Sequence, residues 1–159
     1  MLKLKKSLGQ NFLIDKNIIG KITRLDSIKN KTVLEIGAGS GNLTNSILKK
    51  RPKEIILIEK DKRFYENLSK KFNTKKNCKI VNEDILSYDL DSFTKPETIV
   101  FGNLPYNIST QILAKFIRVN SWPPFYQKII FMFQKEVADR ILAKSNTKQY
   151  GRITVLSNL

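Results

Sequence analysis

The chain alternates between short apolar runs and segments in which apolar residues recur at helical spacing. The apolar runs predict β-strands near residues 32–37, 54–58, 78–82, 97–102 and 127–133. The intervening patterns predict helices near residues 42–51, 61–73, 109–119 and 134–144. Strand and helix therefore alternate along the chain. This order predicts an α/β fold, with a mainly parallel sheet and helices on both of its faces.

Three glycines at alternate positions, Gly37, Gly39 and Gly41, follow the first predicted strand. Glycines allow the backbone to turn sharply and to approach a ligand closely, which suits a nucleoside. The dinucleotide-binding fingerprint would require a glycine where this chain has Asn42, so NAD is disfavoured. Glu35, on the strand before the loop, would repel a pyrophosphate but suits a cationic amino-acid group. The segment therefore predicts S-adenosylmethionine as the ligand.

Acidic residues also follow the second and third predicted strands. Glu59 comes about twenty residues after the glycines, the spacing at which an acidic side chain reaches a ribose diol in such folds. Asp84 could accept the adenine amino group, and Ile85 could cover the ring; a surface acidic loop is the alternative interpretation. Open α/β sheets bind ligands at the carboxyl ends of their strands, so we expect these residues to share one pocket.

The sequence Asn103-Leu104-Pro105-Tyr106 follows the fourth predicted strand. Asn103 offers an amide oxygen to an exocyclic amine, Pro105 fixes the backbone so that the Leu104 carbonyl can face the same nitrogen, and Tyr106 can stack on the base. This combination is typical of a nucleobase methyltransferase, although Asn and Pro are also common in simple turns. Phe133 is either the opposite aromatic face of the base clamp or a core residue.

Five stretches in order resemble one known family over almost the whole chain. They are residues 6–13, 33–44, 83–84, 101–110, and 134–140 together with 150–152. They resemble the small-subunit ribosomal RNA adenine N6,N6-dimethyltransferases. The resemblance implies a class I methyltransferase with a Rossmann-like fold. Such an enzyme uses S-adenosylmethionine to dimethylate two adjacent adenosines in a 3′-terminal hairpin, and so contributes to ribosome biogenesis.

The resemblance also implies roles for individual residues. Gln10, Asn11 and Leu13 would close over the methionine end of the cofactor, and Gly37 would contact it through its backbone. Asn103 would contact both the cofactor and the target amine. The related antibiotic-resistance methyltransferases act on large-subunit RNA and usually differ from this chain at Gly9 and Leu104. Those two residues favour the small-subunit branch.

Composition agrees with an RNA partner. The formal net charge is +15 and the pI is near 9.9, so the surface should attract phosphate groups. Of the 29 basic residues, 23 are lysines, so a compositional bias of the genome could explain part of this charge. The basic N-terminal arm, with Lys3, Lys5 and Lys6, is the segment that we expect to contact small-subunit ribosomal RNA or the immature subunit.

Length and residue usage limit the remaining possibilities. A chain of 159 residues without a linker or repeat predicts one domain, residues 1–159. A single cysteine excludes an internal disulfide, and the lack of histidine argues against a metal site. The longest apolar runs have only strand length, so we expect no membrane span. A cytoplasmic location fits these features.

Members of the resembled family continue beyond the position of Leu159, with an antiparallel strand pair and a small helical domain that grips RNA. We therefore expect a shortened methyltransferase domain of about five parallel strands with one unpaired edge. It should bind the cofactor and methylate RNA weakly. The alternatives are a noncatalytic RNA-binding or ribosome-assembly protein, a large-subunit ribosomal RNA methyltransferase, and a methyltransferase acting on DNA adenine or protein glutamine.

Overall fold

The computed structural model describes residues 13–158, in which a single five-stranded sheet is flanked by helices. The strands are β1 Thr32–Ile36, β2 Glu54–Ile58, β3 Cys78–Val81, β4 Thr98–Asn103 and β5 Tyr126–Met132. The helices are α1 Lys16–Ile22, α2 Asn42–Lys49, α3 Lys62–Phe72, α4 Ser109–Ile117, α5 Lys135–Ile141 and α6 Arg152–Ser157. All strand pairs are parallel, in the order β3-β2-β1-β4-β5. The predicted α/β architecture is confirmed.

Both faces of the sheet are covered, because successive residues of each strand point to opposite sides. On β1, Val33 belongs to a core shared with α1, α2 and α3, whereas Leu34 belongs to a core shared with α4. Both side chains are fully buried. The central strands are therefore mostly apolar, as expected of a parallel sheet that lies between two layers of helices.

The strand order reverses beside β1, which pairs with β2 on one side and with β4 on the other. Ile36, the last residue of β1, lies opposite Ile58 of β2 and Gly102 of β4. The loops after these three strands therefore begin at the same level of the sheet. Such a switch point leaves a crevice at the carboxyl ends of the strands, where ligands bind in this class of fold.

Two short helices, α1 and α6, were not predicted from the sequence. Asp15 caps α1 by accepting hydrogen bonds from the backbone N–H groups of Asn17 and Ile18, at 2.7 and 3.2 Å. The helix buries only Ile19 and Ile22. With six or seven residues, each helix spans about two turns, too few for the apolar period to stand out. The predicted helix at 134–144 is also shorter in the structure, ending at Ile141.

The glycine loop between β1 and α2 depends on left-handed backbone geometry. Gly37, Gly39 and Gly41 all have positive φ, of 66°, 53° and 73°. Gly41 is also confined by α3, because an added Cβ would lie 2.9 Å from atoms of both Leu68 and Phe72. The absence of a side chain at this position therefore lets the loop pack directly against α3 and holds it in place.

We expect Gly41→Ala to lower the free energy of unfolding by about 1–3 kcal/mol, since the substitution combines positive φ with overpacking. Urea denaturation followed by circular dichroism measures this change. Gly20→Ala is the matched control. Gly20 lies inside α1 with space for a methyl group, so alanine there should leave stability unchanged or raise it. Equal stability of both variants would contradict the role assigned to Gly41.

Candidate active site

Two adjoining cavities occupy the crevice at the carboxyl ends of the strands. The larger has a volume of about 140 Å³, and its walls include Glu59, Asp84, Ile85 and Pro105. The smaller has a volume of about 30 Å³ and is bounded by Leu13 and Glu35, among others. Three residues line both cavities, namely Gly37, Gly39 and Asn103. The two spaces therefore form one continuous site, with Asn103 at their junction.

Glu59, the residue after β2, is 6% exposed and connects two loops of the site. Its Oε2 accepts a hydrogen bond from the backbone N–H of Gly39 at 2.9 Å, and its Oε1 accepts one from Asp61 at 2.8 Å. Burial raises the pKa of Glu59, whereas these backbone hydrogen bonds act in the opposite direction. A carboxylate has about four acceptor sites, so two donors leave it able to accept ribose hydroxyls as well.

Asp84, after β3, lies on the far wall of the larger cavity. Its Oδ1 accepts a hydrogen bond from the backbone N–H of Leu86 at 3.0 Å, and its Oδ2 forms a 2.6 Å ion pair with Lys60. Burial acts to raise the pKa of Asp84, but the hydrogen bonds and the positive charge of Lys60 outweigh it, so the net pKa is lowered. Asp84 is therefore a charged acceptor, and Lys60 shares the position at which an adenine amine would bind.

Glu35 lies in the interior next to the smaller cavity and is 2% exposed. Its Oε2 accepts a 2.8 Å hydrogen bond from the hydroxyl of Thr44 on α2. Burial raises the pKa of Glu35 to about 8, with a further contribution from the negative charge of Glu59 and an opposing one from Thr44. A cation placed in the smaller cavity would be attracted to the ionised form of Glu35.

The predicted base-binding tetrad starts at the last residue of β4. Asn103 and Pro105 line the larger cavity. The Leu104 side chain is 8% exposed and packs into the core on the α4 side, which leaves only its backbone for the site. Tyr106 is 46% exposed, outside the lining of the larger cavity, and its carbonyl accepts a 3.3 Å hydrogen bond from the Ser109 hydroxyl. Tyr106 is thus exposed and follows Pro105 of the cavity wall, and its role in stacking on a base stays a prediction.

Among the described site residues, Phe133 lies outside the lining of both cavities. Phe133 is half-buried and packs edge-on against Phe131, with ring centroids 6.2 Å apart, which matches the alternative of a core residue. Its role in a base clamp stays a prediction. Gln10 and Asn11 lie outside the described residues, and their proposed contact with the cofactor also stays a prediction.

Sequence reasoning missed several residues that shape the site. Asn42 was considered only as a departure from the dinucleotide fingerprint, yet its side-chain amide donates a 3.0 Å hydrogen bond to the carbonyl of Leu13. This bond holds Leu13 at the wall of the smaller cavity. Thr44 and Lys60 were also missed. Only their partners, Glu35 and Asp84, gave a sequence signal, because a carboxylate in a buried strand end requires a donor.

The walls of the site fit a cationic nucleoside better than a phosphorylated one. Among the described residues, the larger cavity is lined by four acidic residues, Glu59, Asp61, Glu83 and Asp84, and by one basic residue, Lys60. A Cβ added at Gly37 would meet no atom within 4 Å, so the loop backbone itself borders open space. Adenosine would fit the acceptors of the larger cavity, and an amino-acid end would lie near Glu35. These features match S-adenosylmethionine.

No group of three or more potential metal-binding side chains occurs among residues 13–158. Within the same range, no helix is both long and apolar enough to cross a bilayer.

Stability should depend on pH through Glu35, because its pKa is about 8 in the folded protein against an ordinary value of 4.5. Between these values the folded protein retains a proton that the unfolded chain has lost. The free energy of unfolding should therefore fall as the pH rises, by about 1.4 kcal/mol per pH unit for one proton. Glu35→Gln keeps an acceptor for Thr44 and removes the charge. Urea denaturation at several pH values from 5 to 8 should show that the free energy of unfolding falls less with pH in this variant than in the wild type. An equal fall in both proteins would contradict the raised pKa of Glu35.

Comparison with known proteins identifies the family. The family model described as ribosomal RNA adenine dimethylase matches residues 1–159. Ribosomal RNA small subunit methyltransferase A from Pelagibacter ubique is 50% identical over 157 residues, covering 99% of this chain and 59% of that protein. The chain thus spans little more than half the length of this curated relative.

Solved structures give the same result. A dimethyladenosine transferase from Plasmodium falciparum superposes with a TM-score of 0.78 and 31% identity, over 92% of this chain and 51% of that one. The 23S rRNA methyltransferase ErmE superposes with a TM-score of 0.73 and 27% identity, over 92% of this chain and 55% of that one. The Rossmann-like methyltransferase fold and the use of S-adenosylmethionine are therefore confirmed. The chain belongs to the ribosomal RNA adenine dimethylase family.

Proposed function

We propose that the protein transfers methyl groups from S-adenosylmethionine to the N6 amines of two adjacent adenosines in a 3′-terminal hairpin of small-subunit ribosomal RNA. The observation that carries this proposal is the position of Asn103 at the junction of the two cavities. An amide at that point can contact both the methyl donor and an amine that enters from outside. The reducing cytoplasm, where subunits are assembled, is the location that we propose.

The chain would hold the donor through polar groups that the fold has already oriented. Glu59 would accept the ribose hydroxyls, Asp84 the adenine amine, and Glu35 would neutralise the amino-acid cation. The backbone of Gly37 would border the sulfur. The cofactor supplies one chemical feature, a methyl group on a positively charged sulfur that a weak nucleophile can attack.

The target amine needs activation, because its lone pair is delocalised into the adenine ring. The side-chain oxygen of Asn103 and the carbonyl of Leu104 would accept hydrogen bonds from its two hydrogens. These bonds favour pyramidal geometry at nitrogen and strengthen as positive charge develops there. Such differential stabilisation lowers the barrier, and positioning the amine in line with the methyl group lowers it further.

Proton removal needs no dedicated base in this site. The sequence has no histidine, so the commonest general base is absent. Once the methyl group has transferred, the ammonium product is acidic enough to lose its proton to water. The second methylation requires the monomethylated amine to rotate and bind again, with its new methyl group in the same pocket.

The target adenine must leave its stack in the RNA before it can enter the crevice. Unstacking costs a few kcal/mol, and stacking on an exposed aromatic ring offsets it. Tyr106, which is 46% exposed and follows Pro105 of the cavity wall, would provide this ring. A noncatalytic RNA-binding protein would account for the basic surface. It would not account for the position of Asn103 at the junction of the two cavities.

We expect Asp84→Ala to weaken binding of S-adenosylhomocysteine about ten- to a hundredfold, because the adenine amine would lose a charged acceptor. Lys60→Ala is the matched control, since it breaks the same ion pair but leaves Asp84 free to accept. Its affinity should equal or exceed that of the wild type. Isothermal titration measures both. If Lys60→Ala weakens binding as much as Asp84→Ala does, the loss of affinity comes from breaking the ion pair. That result would contradict the role of Asp84 as the acceptor of the adenine amine.

The proposed reaction is tested with tritiated S-adenosylmethionine and immature small ribosomal subunits, at excess protein over RNA. Mass mapping of the product should locate dimethylation on two adjacent adenosines. Asn103→Ala should lower the rate about a hundred- to a thousandfold, because one transition-state contact is removed. Its affinity for S-adenosylhomocysteine should change by only a few fold. Undiminished transfer by Asn103→Ala would refute the role of this amide.

A further inference from the structure

A second large concavity lies on the outer face of the helical layer, where α4 and α6 pack together. We call it the α4–α6 groove. It has a volume of about 960 Å³ and is lined by the exposed side of α4, the start of α6 and residues just before α6. Its positive charge comes from Arg118, Arg140 and Arg152, all of them exposed. The groove has no part in the cofactor site.

The positive charge of the groove comes from arginine, whereas most of the positive charge of the chain comes from lysine. The chain has 23 lysines but only six arginines, and three of the six line this groove. A bias toward lysine codons would scatter charge over the surface and would not gather arginines in one concavity. Guanidinium groups bind phosphates through paired, planar hydrogen bonds, which ammonium groups cannot do.

These guanidinium groups are available for a ligand. None of the ion pairs found in residues 13–158 involves Arg118, Arg140 or Arg152. Within residues 13–158, the lining of the groove contains no Asp or Glu. The cofactor cavity has the opposite character, with four acidic residues in its lining. A polyanion would be repelled by the acidic cavity and attracted by the α4–α6 groove.

We propose that the α4–α6 groove binds the sugar-phosphate backbone of the RNA whose adenosine enters the active site. This inference rests on the proposed function and deepens it by placing the substrate strand. One end of the groove is formed by Thr110 and Gln111, in the first turn of α4. That turn follows the tetrad loop, and the Tyr106 carbonyl accepts a hydrogen bond from Ser109. The groove therefore begins beside the entrance for the base.

The length of the groove suits several nucleotides. Helix α4 has nine residues and is therefore about 13 Å long, with Arg118 directly after its last residue. A stacked strand advances about 3.4 Å per phosphate, so this length spans about four phosphates. Tyr150, which is 44% exposed in the groove lining, offers a ring on which an unpaired base can stack.

The test measures binding of a small-subunit hairpin with two adjacent loop adenosines at several salt concentrations. The variant carries Arg118→Gln, Arg140→Gln and Arg152→Gln together. It should bind the hairpin at least about tenfold more weakly than the wild type does. The negative slope of log K against log salt should become shallower by about two, because three phosphate contacts are lost. Binding of S-adenosylhomocysteine should stay unchanged, which shows that the variant is folded.

Two control variants separate this effect from net charge. Lys29→Gln, Lys53→Gln and Lys79→Gln together remove the same charge at exposed positions near the amino ends of β1, β2 and β3, away from the groove. This variant should keep most of the affinity and the salt slope. Replacing the three groove arginines by lysine should keep the salt slope but lower the affinity, since the paired hydrogen bonds are lost.

Each outcome bears on one proposal or on both. Equal losses for the groove and the control glutamine variants would mean that only net charge matters, and the groove proposal would fail. Unchanged RNA binding by the groove variant would also overturn it, while methylation by the wild type would leave the proposed function intact. If the wild type neither binds nor methylates the RNA, both proposals are wrong.

Discussion

The site depends on one buried carboxylate, that of Glu59. One of its oxygens accepts the backbone N–H of Gly39 and the other that of Asp61, so it fastens the loop after β1 to the loop after β2. The glycine loop has few side chains with which to stabilise itself, and this contact supplies the missing constraint. The same carboxylate lines the larger cavity, where we propose that it accepts the ribose hydroxyls. One group would then both shape the site and recognise the ligand.

Holding that carboxylate in the interior has an electrostatic consequence. Glu35 is also buried nearby, and the charge of Glu59 contributes to its raised pKa. The site therefore holds two acidic groups that resist ionisation. A cationic ligand lowers the free-energy cost of ionising them, and an anionic ligand raises it. The same arrangement that favours a sulfonium and an ammonium group disfavours phosphate, which agrees with our proposal that RNA is held elsewhere on the surface.

Much of this architecture could be predicted from the sequence, for identifiable reasons. All five strands were located because a parallel sheet covered on both faces produces continuous apolar runs. Gly37, Gly39, Glu59, Asp84 and Asn103 were placed together because strand ends in such a fold converge on one edge. The branch within the family was inferred from two residues and stays a prediction.

The features that the sequence did not reveal depend on tertiary contacts. Helices α1 and α6 are too short to produce a periodic signal, and they exist because each packs a few residues against longer elements. The Lys60–Asp84 ion pair joins residues 24 positions apart, on loops that meet only after β2 and β3 have paired. The α4–α6 groove likewise combines arginines from three separated segments. A local sequence pattern does not predict contacts between residues that lie so far apart in the chain.

The accuracy required of Asn103 comes from packing rather than from its own hydrogen bonds alone. It is the last residue of β4 and lies opposite Met132 of β5, so the sheet fixes its backbone. The preceding residue, Gly102, is enclosed so tightly that a Cβ there would approach Leu104 to 2.7 Å and Phe131 to 3.1 Å. Leu104 in turn is buried in the core against α4. The residues on both sides of Asn103 are therefore immobilised by the hydrophobic core, which would hold a side chain at this strand end to the tolerance that the proposed methyl transfer requires.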